Sequence, residues 1–395
     1  MLFRSVTMKN GNTVTRLALD QETSQVRDLW AYCFDDSPEF IDFFFQFCYK
    51  PKNTLVTVEG DRVCSCLQLL PYRMQLRDRP IDVSYIVGVA TRPEYRGRGH
   101  AARLLQYVDT ILRKRNIHCS ILLPFQYDFY RKYGWEICYD LLTYRKMEVL
   151  KTTGKLTGSY RRLGICDRKI LSDCYLRFMK GFHGYFIRNQ NNWEKILRDL
   201  ELDHGMGFRY LQDNITTGYI LYTICNKKLC IRELIYQNPE AKEALLQLAF
   251  HHMGQISRIV WKAPSTDTTY LSMKDSRGKM EKETFVMGRI HNIIGALSGI
   301  PFSADPFVLQ VSDPMIPGNN GCYFLKEKGA ALDITATGKE PDVHMDIRTL
   351  SQLLWGFCTA DSSLAEGRLE CREEWVMTSL GALFPPRNNF MTEEY

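Results

Sequence analysis

The sequence predicts a mixed α/β (α+β) protein that is divided into more than one domain. Its 395 residues exceed the usual size of a single domain. Apolar runs of strand length alternate with segments of helical periodicity along the chain. A small polar stretch, TTGKLTG at 152–158, is typical of a linker. These observations together predict three successive α/β units, which comprise residues 1–150, 151–287 and 288–395.

The most informative stretch is VGVATRPEYRGRGHAA, residues 87–102. A short apolar strand leads into an Arg/Gly loop, and the loop opens a helix. Glycine lets the backbone approach a ligand closely, and the first N–H groups of a helix face an anion without partners of their own. The pattern predicts a pyrophosphate cradle. It lacks the lysine of a P-loop, and no acidic residue lies about 20 residues on to hold the ribose of a dinucleotide.

The neighbouring elements form a consistent local pattern. Strands at 63–74 and 81–90 form a predicted hairpin, and Gly88 within the second strand is typical of a bulge. Apolar residues from Ala101 to Leu112 recur at helical spacing, which predicts an amphipathic helix. A strand at 117–125 follows. After it come a helical turn at 126–133, a possible C-cap at Gly134 and a further strand from Trp135.

The second part of the chain repeats this order of elements without the Arg/Gly loop. Helical sequence at 171–200 precedes strands at 207–211, 218–225 and 228–236, a helix at 239–253 and a strand at 256–262. The third part begins near Arg289. It contains predicted strands at 306–311, 321–326, 330–337 and 343–347, and amphipathic helices at 349–357 and 372–383.

Composition limits the classes of partner and site. The net charge of +6 suits an anionic cosubstrate but is too diffuse to predict nucleic-acid binding. The 13 cysteines include no C-x-x-C pair and no zinc spacing, so we expect free thiols in a reducing cytoplasm and no metal. The N-terminal segment has no apolar leader pattern, and no apolar stretch is long enough to span a membrane.

The Arg/Gly loop resembles the Arg-x-x-Gly-x-Gly/Ala motif of GNAT N-acetyltransferases, with Arg96, Gly99 and Ala101 in its three defining positions. Four further marks follow in order. They are FYRKYGWE, MGRIHN, VSDPMIPGNNG and an aromatic residue after a Pro-Pro break. Together they resemble the Eis (enhanced intracellular survival) family over essentially the whole chain. The resemblance implies tandem GNAT folds, the first active and the second degenerate, followed by a domain of sterol-carrier-protein type.

The same resemblance implies an acetyl-CoA-dependent N-acetyltransferase that forms a homohexamer. Its acceptors would be aminoglycosides or other amines, including polyamines and lysine side chains. The residues implied to bind acetyl-CoA are Val87, Gly88, Val89, Arg96, Gly97, Arg98, Gly99, His100, Ala101 and Ala102. Because they lie near the expected pocket or its tail, the acidic residues Asp35, Asp36 and Glu394 are candidates for binding a cationic acceptor.

Two catalytic groups are implied by resemblance. Tyr130 of FYRKYGWE matches the family's general acid, although Tyr127 and Tyr133 are close alternatives and a core role is open. The α-carboxylate of Tyr395 matches the family's base, whereas the residues alone favour a frayed acidic tail.

Two other mechanisms remain open at this stage. Cys119 could form a covalent intermediate, but its neighbour His118 would point to the opposite face of a strand. His100 and His118 are weak candidates for a base. A non-enzymatic alternative is a lipid or acyl-CoA carrier that uses the C-terminal domain.

Overall fold

A computed structural model of the protein describes residues 8–10, 13–147, 150, 156–275 and 279–394. The described residues group into two compact units. The first contains the chain up to Cys138, Val286–Arg387 and Glu394. The second contains Tyr139–Phe285 and returns with Asn388–Glu393. The first unit is therefore assembled from segments that are far apart in sequence.

The bounds of the elements are as follows. The first stretch of chain contains strands β1 (Met8–Asn10), β2 (Thr13–Leu17), β3 (Thr54–Glu59), β4 (Arg62–Leu76), β5 (Arg79–Thr91), β6 (Cys119–Leu122) and β7 (Glu136–Ile137). Its helices are α1 (Thr23–Cys33), α2 (Pro38–Phe47), α3 (His100–Lys114) and α4 (Tyr127–Arg131). The middle stretch contains β8 (Asp140–Tyr144), β9 (Ser159–Arg162), β10 (Tyr185–Phe186), β11 (Met206–Gln212), β12 (Ile215–Cys225), β13 (Lys228–Tyr236), β14 (Arg258–Pro264) and β15 (Met280–Thr284). Its helices are α5 (Arg168–Met179), α6 (Gln190–Leu202) and α7 (Pro239–Phe250).

The last stretch contains strands β16 (Met287–Ile290), β17 (Phe307–Ser312), β18 (Gly321–Lys328), β19 (Ala331–Thr337), β20 (Val343–Asp346) and β21 (Leu369–Cys371). Its helices are α8 (Ile293–Leu297), α9 (Ile347–Trp355), α10 (Ala360–Ala365) and α11 (Glu374–Leu383).

The main sheet of the first unit has the strand order β1-β2-β3-β4-β5-β6-β16-β7. The long hairpin of β4 and β5 turns at Arg77 and Asp78, both in the left-handed region. The strand expected at 117–125 is shorter in the structure, where β6 ends at Leu122. Pro124 follows two residues later, and proline cannot donate a hydrogen bond to a neighbouring strand. The strand expected from Trp135 is only two residues long, and β16 lies between it and β6. The expected boundary at residues 287 and 288 falls within β16.

Strands β5 and β6 separate before β5 ends. They pair in parallel only from Val83 to Ile86 on β5, opposite 119–122 on β6. On its other edge, β5 remains paired with β4, but the register shifts between Cys66↔Ala90 and Gln68↔Val87. The extra residue on β5 is a β-bulge at the expected glycine, because Gly88 has φ +59°. From Val87 onward, no strand formed by the described residues lies beside this edge of β5.

The second unit contains one sheet, ordered β15-β8-β14-β13-β12-β11-β9. Its core gathers apolar residues from β11 to β14 with the inner face of α7, among them Ile220, Leu245 and Trp261. The third sheet, ordered β19-β18-β17-β20-β21, belongs to the first unit. Helix α9 buries Leu350, Leu353 and Trp355 in that unit. Helix α9 also packs against β16 and β7, so the third part of the chain adjoins the main sheet of the same unit.

A buried ion pair joins β16 to the loop after β17. The side chains of Arg289 and Asp313 are both 0% exposed and lie 2.9 Å apart. Arg289 also donates to the carbonyl of Tyr133 and lies over the ring of Trp135. Asp313 accepts from the backbone N–H groups of Met315 and Ile316, which shapes the SDPMIPGNN turn. This pair fixes the backbone next to helix α4.

We expect Gly134→Ala to destabilise the protein strongly. Gly134 has φ +85°, and a Cβ there would overlap the guanidinium of Arg289. The left-handed backbone costs about 1–2 kcal/mol for a residue with a Cβ, and displacing a buried ion partner costs about 3–5 kcal/mol. The matched control is Gly329→Ala, at φ +63° with open space around the Cβ. Urea unfolding should show a much larger loss for Gly134→Ala; equal losses would contradict the role of Arg289.

Candidate active site

The Arg/Gly loop occupies the end of β5 that has no strand beside it. Helix α3 begins at His100, and its N-cap Gly99 has φ +77° with no side chain that caps the helix. The first hydrogen bond of the helix runs from the Arg103 N–H to the Gly99 carbonyl. The preceding N–H groups of α3 are therefore available to an anion, and they lie at the positive end of the helix dipole.

Arginine side chains surround this helix end. Arg96, Arg98 and Gly97 are all exposed, and Arg98 lies over the ring of Tyr95 at 5.2 Å. Arg96 Nε donates to the Thr91 carbonyl at 3.1 Å, which holds its stem against the end of β5.

His100 differs from its neighbours, because it is 4% exposed and both ring nitrogens lack a partner among the described residues. Burial lowers the pKa of His100, so it is poorly suited to act as a base.

Gly88 permits a close contact inside the bulge. A Cβ there would overlap the ring of Trp30 and the side-chain oxygen of Gln68. Trp30 is held from the other side, because its Nε1 donates to Asp36 Oδ2 at 2.8 Å and its ring stacks on Phe44 at 4.2 Å. Asp36 therefore supports the bulge, a role that the sequence did not predict. A residue with a side chain could not replace Gly88 without displacing Trp30 or Gln68.

An unsatisfied buried oxygen marks the same place. Gln68 is 1% exposed, and its Oε1 has no hydrogen-bond partner within the described parts of the chain. An unpaired buried amide oxygen is costly and calls for a partner. An extended ligand with amide N–H groups, such as pantetheine, fits this acceptor and the free edge of β5. The residues present therefore fit an acyl-CoA ligand.

Unlike Tyr127 and Tyr133, which are partly exposed, Tyr130 is a buried tyrosine. It lies in α4 and belongs to one packed cluster with Ile86 and Leu122, the last paired residues of β5 and β6. It is 3% exposed, and no described protein group hydrogen-bonds with its hydroxyl. Burial raises the pKa of Tyr130 above its usual value of 10. A protonated, unpartnered phenol is suited to donate a proton to a ligand.

The cysteine alternative has little support in the structure. Cys119 is fully buried, and burial raises its pKa to about 12, which disfavours a thiolate nucleophile. Burial has the opposite effect on His118, the other member of this pair, because it lowers the pKa of the imidazole. Across the described ranges, no group of His, Cys, Asp and Glu residues is arranged to hold a metal ion.

The acidic candidates differ in exposure and in their contacts. Asp35 and Glu394 are exposed, whereas Asp36 is engaged with Trp30. Tyr395 lies outside the described residues. No helix in the described chain combines the length and apolar character needed to cross a bilayer.

An aromatic residue that the sequence did not single out borders Tyr130. Phe125 is 71% exposed, and its ring centroid lies 5.5 Å from that of Tyr130. It lies three residues after the end of β6, on the loop that leads to α4. Because exposed aromatic residues are common in proteins, the sequence alone offers no reason to select Phe125. Its proximity to Tyr130 is visible only in the structure.

The second unit contains the equivalent strand and helix without the cradle. Between β13 and α7 lie only Gln237 and Asn238, and Asn238 caps the helix by accepting from the Ala241 N–H. Glu240 in the first turn accepts from Tyr210, Thr157 and Gln212. The Asn238 side chain thus caps the first turn of α7, and Glu240 adds a negative charge to that turn, so this helix end is less suited to a phosphate than that of α3.

Comparison with family models agrees with this division. Residues 14–138 and 184–290 each match a model described as an acetyltransferase (GNAT) domain. Residues 293–392 match a model described as a sterol carrier protein domain. No curated protein shows significant similarity to the sequence.

Solved structures share the fold over nearly the whole chain. A probable N-acyltransferase from Enterococcus faecalis V583 is similar with a TM-score of 0.87 and 21% identity, covering 99% of both chains. A GCN5-related N-acetyltransferase from Anabaena variabilis has a TM-score of 0.85 and 20% identity, over 97% of this chain and 100% of its own. Eis1 from Mycobacterium abscessus has a TM-score of 0.77 and 16% identity, over 96% and 99%. The chain is therefore an acetyltransferase with two GNAT domains followed by a sterol carrier protein domain, and it shares the overall fold of Eis1.

Proposed function

We propose that the enzyme transfers the acetyl group of acetyl-CoA to an amine of a cationic acceptor, such as an aminoglycoside, a polyamine or a lysine side chain. The observation that carries the proposal is the unpaired edge of β5, which ends in the uncapped N-terminus of α3 and borders the unpartnered hydroxyl of Tyr130. The GNAT fold uses acetyl-CoA. The acceptor is inferred from resemblance and from the acidic residues Asp35, Asp36 and Glu394.

Binding of acetyl-CoA is assigned to two neighbouring segments. Arg96–Ala102 hold the pyrophosphate through backbone N–H groups and arginine charge. Val87–Val89 lie alongside the pantetheine, and a backbone N–H of this edge stabilises the oxyanion as the amine attacks. Such a donor typically contributes about 3–4 kcal/mol to transition-state stabilisation.

Proton transfer is assigned to two groups. The attacking nitrogen must be neutral, so the ammonium first gives a proton to the α-carboxylate of Tyr395, directly or through water. Attack on the thioester carbonyl forms the C–N bond and then breaks the C–S bond. Tyr130 protonates the departing CoA thiolate, and the newly acylated nitrogen gives up its second proton, which returns to Tyr130 through water and leaves a neutral amide. Assembly as a homohexamer is inferred from resemblance, and residence in the cytoplasm from the 13 cysteines, which have no metal or disulfide spacing.

A carrier function for the C-terminal domain has no specific observation in its favour. A cavity of about 340 Å³ beside β20 and α9 is lined by polar side chains that include Arg348, Arg368 and Asp346. Such a lining does not suit an acyl chain. The enzyme is therefore the one function that we propose.

The loop assignment predicts that Gly99→Glu loses at least about tenfold of its affinity for acetyl-CoA, or 1.4 kcal/mol, because a carboxylate would face the pyrophosphate. Calorimetric titration measures this. The matched control is Gly329→Glu, which is also left-handed and exposed but lies in the third sheet. A folded Gly99→Glu protein with undiminished affinity would refute the assignment.

The acid assignment predicts that Tyr130→Phe loses about 10²–10⁴ in kcat, the usual contribution of general acid catalysis, with little change in KM for acetyl-CoA. Since burial raises the Tyr130 pKa above 10, the phenol stays protonated, and kcat should show no alkaline fall from it below about pH 10. Tyr127→Phe and Tyr133→Phe are the controls. Full activity of Tyr130→Phe with loss of activity in either control would mean that Tyr127 or Tyr133, and not Tyr130, is the general acid.

The base assignment predicts that a chain extended beyond Tyr395 by a few residues is about a hundredfold slower in kcat than a chain that ends there. The extension moves the α-carboxylate but preserves every side chain. An extension of equal length at the N-terminus is the control and should leave the rate unchanged. Steady-state kinetics with a diamine acceptor would show equal rates for both if the carboxylate has no role.

A further inference from the structure

The helix that carries Tyr130 is too short to be stable on its own. Helix α4 spans only five residues, Tyr127–Arg131, and the side chain of its N-cap residue Gln126 does not cap it. An isolated helix of this length is unstable in water, because nucleation costs more free energy than so few hydrogen bonds return. The orientation of the Tyr130 phenol must therefore depend on contacts that α4 and its flanks make with the rest of the unit.

The turn that ends α4 holds the backbone of Tyr130. The N–H of Tyr133 donates to the Tyr130 carbonyl at 2.9 Å, and the N–H of Trp135 donates to the same oxygen at 3.3 Å. Gly134 lies between them with φ +85°, which makes this reversal of the chain possible. We call residues 133–135 the α4 turn. Whatever fixes the α4 turn also fixes the backbone from which the Tyr130 side chain projects.

A buried arginine of β16 binds the α4 turn. The guanidinium of Arg289 donates to the Tyr133 carbonyl and lies 5.2 Å from the ring centroid of Trp135. It also lies directly against Gly134, where a Cβ would overlap it. Three consecutive residues of the α4 turn thus contact one side chain, which comes 156 residues after Tyr133 in the sequence.

Asp313 fixes the orientation of this guanidinium. Its two carboxylate oxygens accept from Arg289 Nη2 at 3.0 and 2.9 Å. The carboxylate is itself held by the N–H groups of Met315 and Ile316 and by Asn319 Nδ2, at 3.0, 3.0 and 2.9 Å. Because a planar guanidinium that is buried and bonded to acceptors on both sides has one orientation, the α4 turn is fixed relative to β16 and the loop after β17.

The indole of Trp135 provides a second attachment for the α4 turn. Its Nε1 donates to Ser120 Oγ at 3.1 Å, and that hydroxyl also bonds with His291 Nε2 at 2.8 Å. All three side chains are 0% exposed. Burial lowers the pKa of His291 to about 4, so the imidazole is neutral near pH 7 and its bond with Ser120 persists there. Because Ser120 belongs to β6, the α4 turn is tied to β6 as well as to β16.

We propose that Arg289 and Trp135 are positioning residues, which hold the α4 turn and through it place the phenol of Tyr130 for proton transfer. The proposal rests on the proposed function, in which Tyr130 is the general acid. A reacting group that is misplaced by about 1 Å can cost about a hundredfold in rate. The strand that completes the main sheet would thus serve the chemistry of the first GNAT domain as well as its fold.

The main test is Arg289→Lys, made alone and together with Tyr130→Phe. Lysine keeps the positive charge that Asp313 needs, but it lacks the planar fork that also reaches the Tyr133 carbonyl. We expect kcat of Arg289→Lys to fall about tenfold to a hundredfold, with unchanged KM for acetyl-CoA. If Arg289 acts through Tyr130, its effect should vanish once the hydroxyl is gone, so the double variant should be no slower than Tyr130→Phe alone.

The matched control is Arg77→Lys. Arg77 is another arginine of the same unit, 2% exposed, and it donates instead to the carbonyls of Leu353, Leu354 and Pro385. Its replacement should lower the thermal unfolding midpoint in a similar way, but kcat should stay at the wild-type level. Thermal unfolding midpoints of all variants are measured beside the kinetics, so that a loss of folded protein is not counted as a loss of rate.

A second variant, Trp135→Phe, tests the α4 turn without changing the ion pair. It keeps an aromatic ring beside the guanidinium of Arg289 but removes the donor to Ser120, so one attachment of the turn is lost. We expect kcat to fall about tenfold, again only when the Tyr130 hydroxyl is present. If Arg289→Lys does not fold, this variant alone decides the question.

The outcomes separate the positioning role from the acid. Loss of kcat in Arg289→Lys and Trp135→Phe, without further loss in the Tyr130→Phe background, supports the proposal. Wild-type kcat in either folded variant overturns it. A loss that persists in the Tyr130→Phe background also overturns it, because the α4 turn would then support the fold alone. In both cases a slow Tyr130→Phe protein still leaves the general acid in place. Wild-type kcat of Tyr130→Phe overturns the proposed acid itself, and the positioning role with it.

Discussion

The separation of β5 from β6 is the constraint on which the rest of the first GNAT domain depends. The two strands pair over 83–86 and 119–122 and then part, while β5 continues to Thr91. Gly88 makes this possible, since its left-handed bulge lets Trp30 lie directly against the backbone. The free edge, the uncapped start of α3 and the hydroxyl of Tyr130 all lie around this opening. A side chain at residue 88 would therefore disturb the site without touching any ligand group.

The sequence predicted the local parts of this arrangement well. The stripe from Ala101 to Leu112 predicted α3, and Gly88 predicted the bulge, because both signals depend on neighbouring residues. Long-range pairing could not be predicted. Nothing in Met287–Ile290 indicates that it lies between β6 and β7, and nothing around Arg289 indicates that its partners come 24 residues later and 156 residues earlier. The fold of each domain was therefore predictable, whereas the segments that complete it were not.

The two GNAT folds show how little must change to remove a phosphate site. Both place a helix after a central strand, yet α3 begins at an uncapped glycine and α7 begins after Asn238, which satisfies its first turn. Glu240 brings a negative charge to the same helix end and finds hydroxyl and amide donors within its own unit. The dipole is equally favourable in both helices. The difference lies in whether the chain itself supplies the anion.

The position of β16 governs the order in which the protein can mature on the ribosome. The main sheet of the first domain lacks its penultimate strand until residues 287–290 have left the exit tunnel, by which time the whole second domain has been synthesised. Until then β6 has an unpaired edge, which is a template for pairing with other chains. The second sheet uses only residues 140–284 and can close first. The main sheet of the catalytic domain, although most of it is encoded first, is thus completed after the sheet of its degenerate partner.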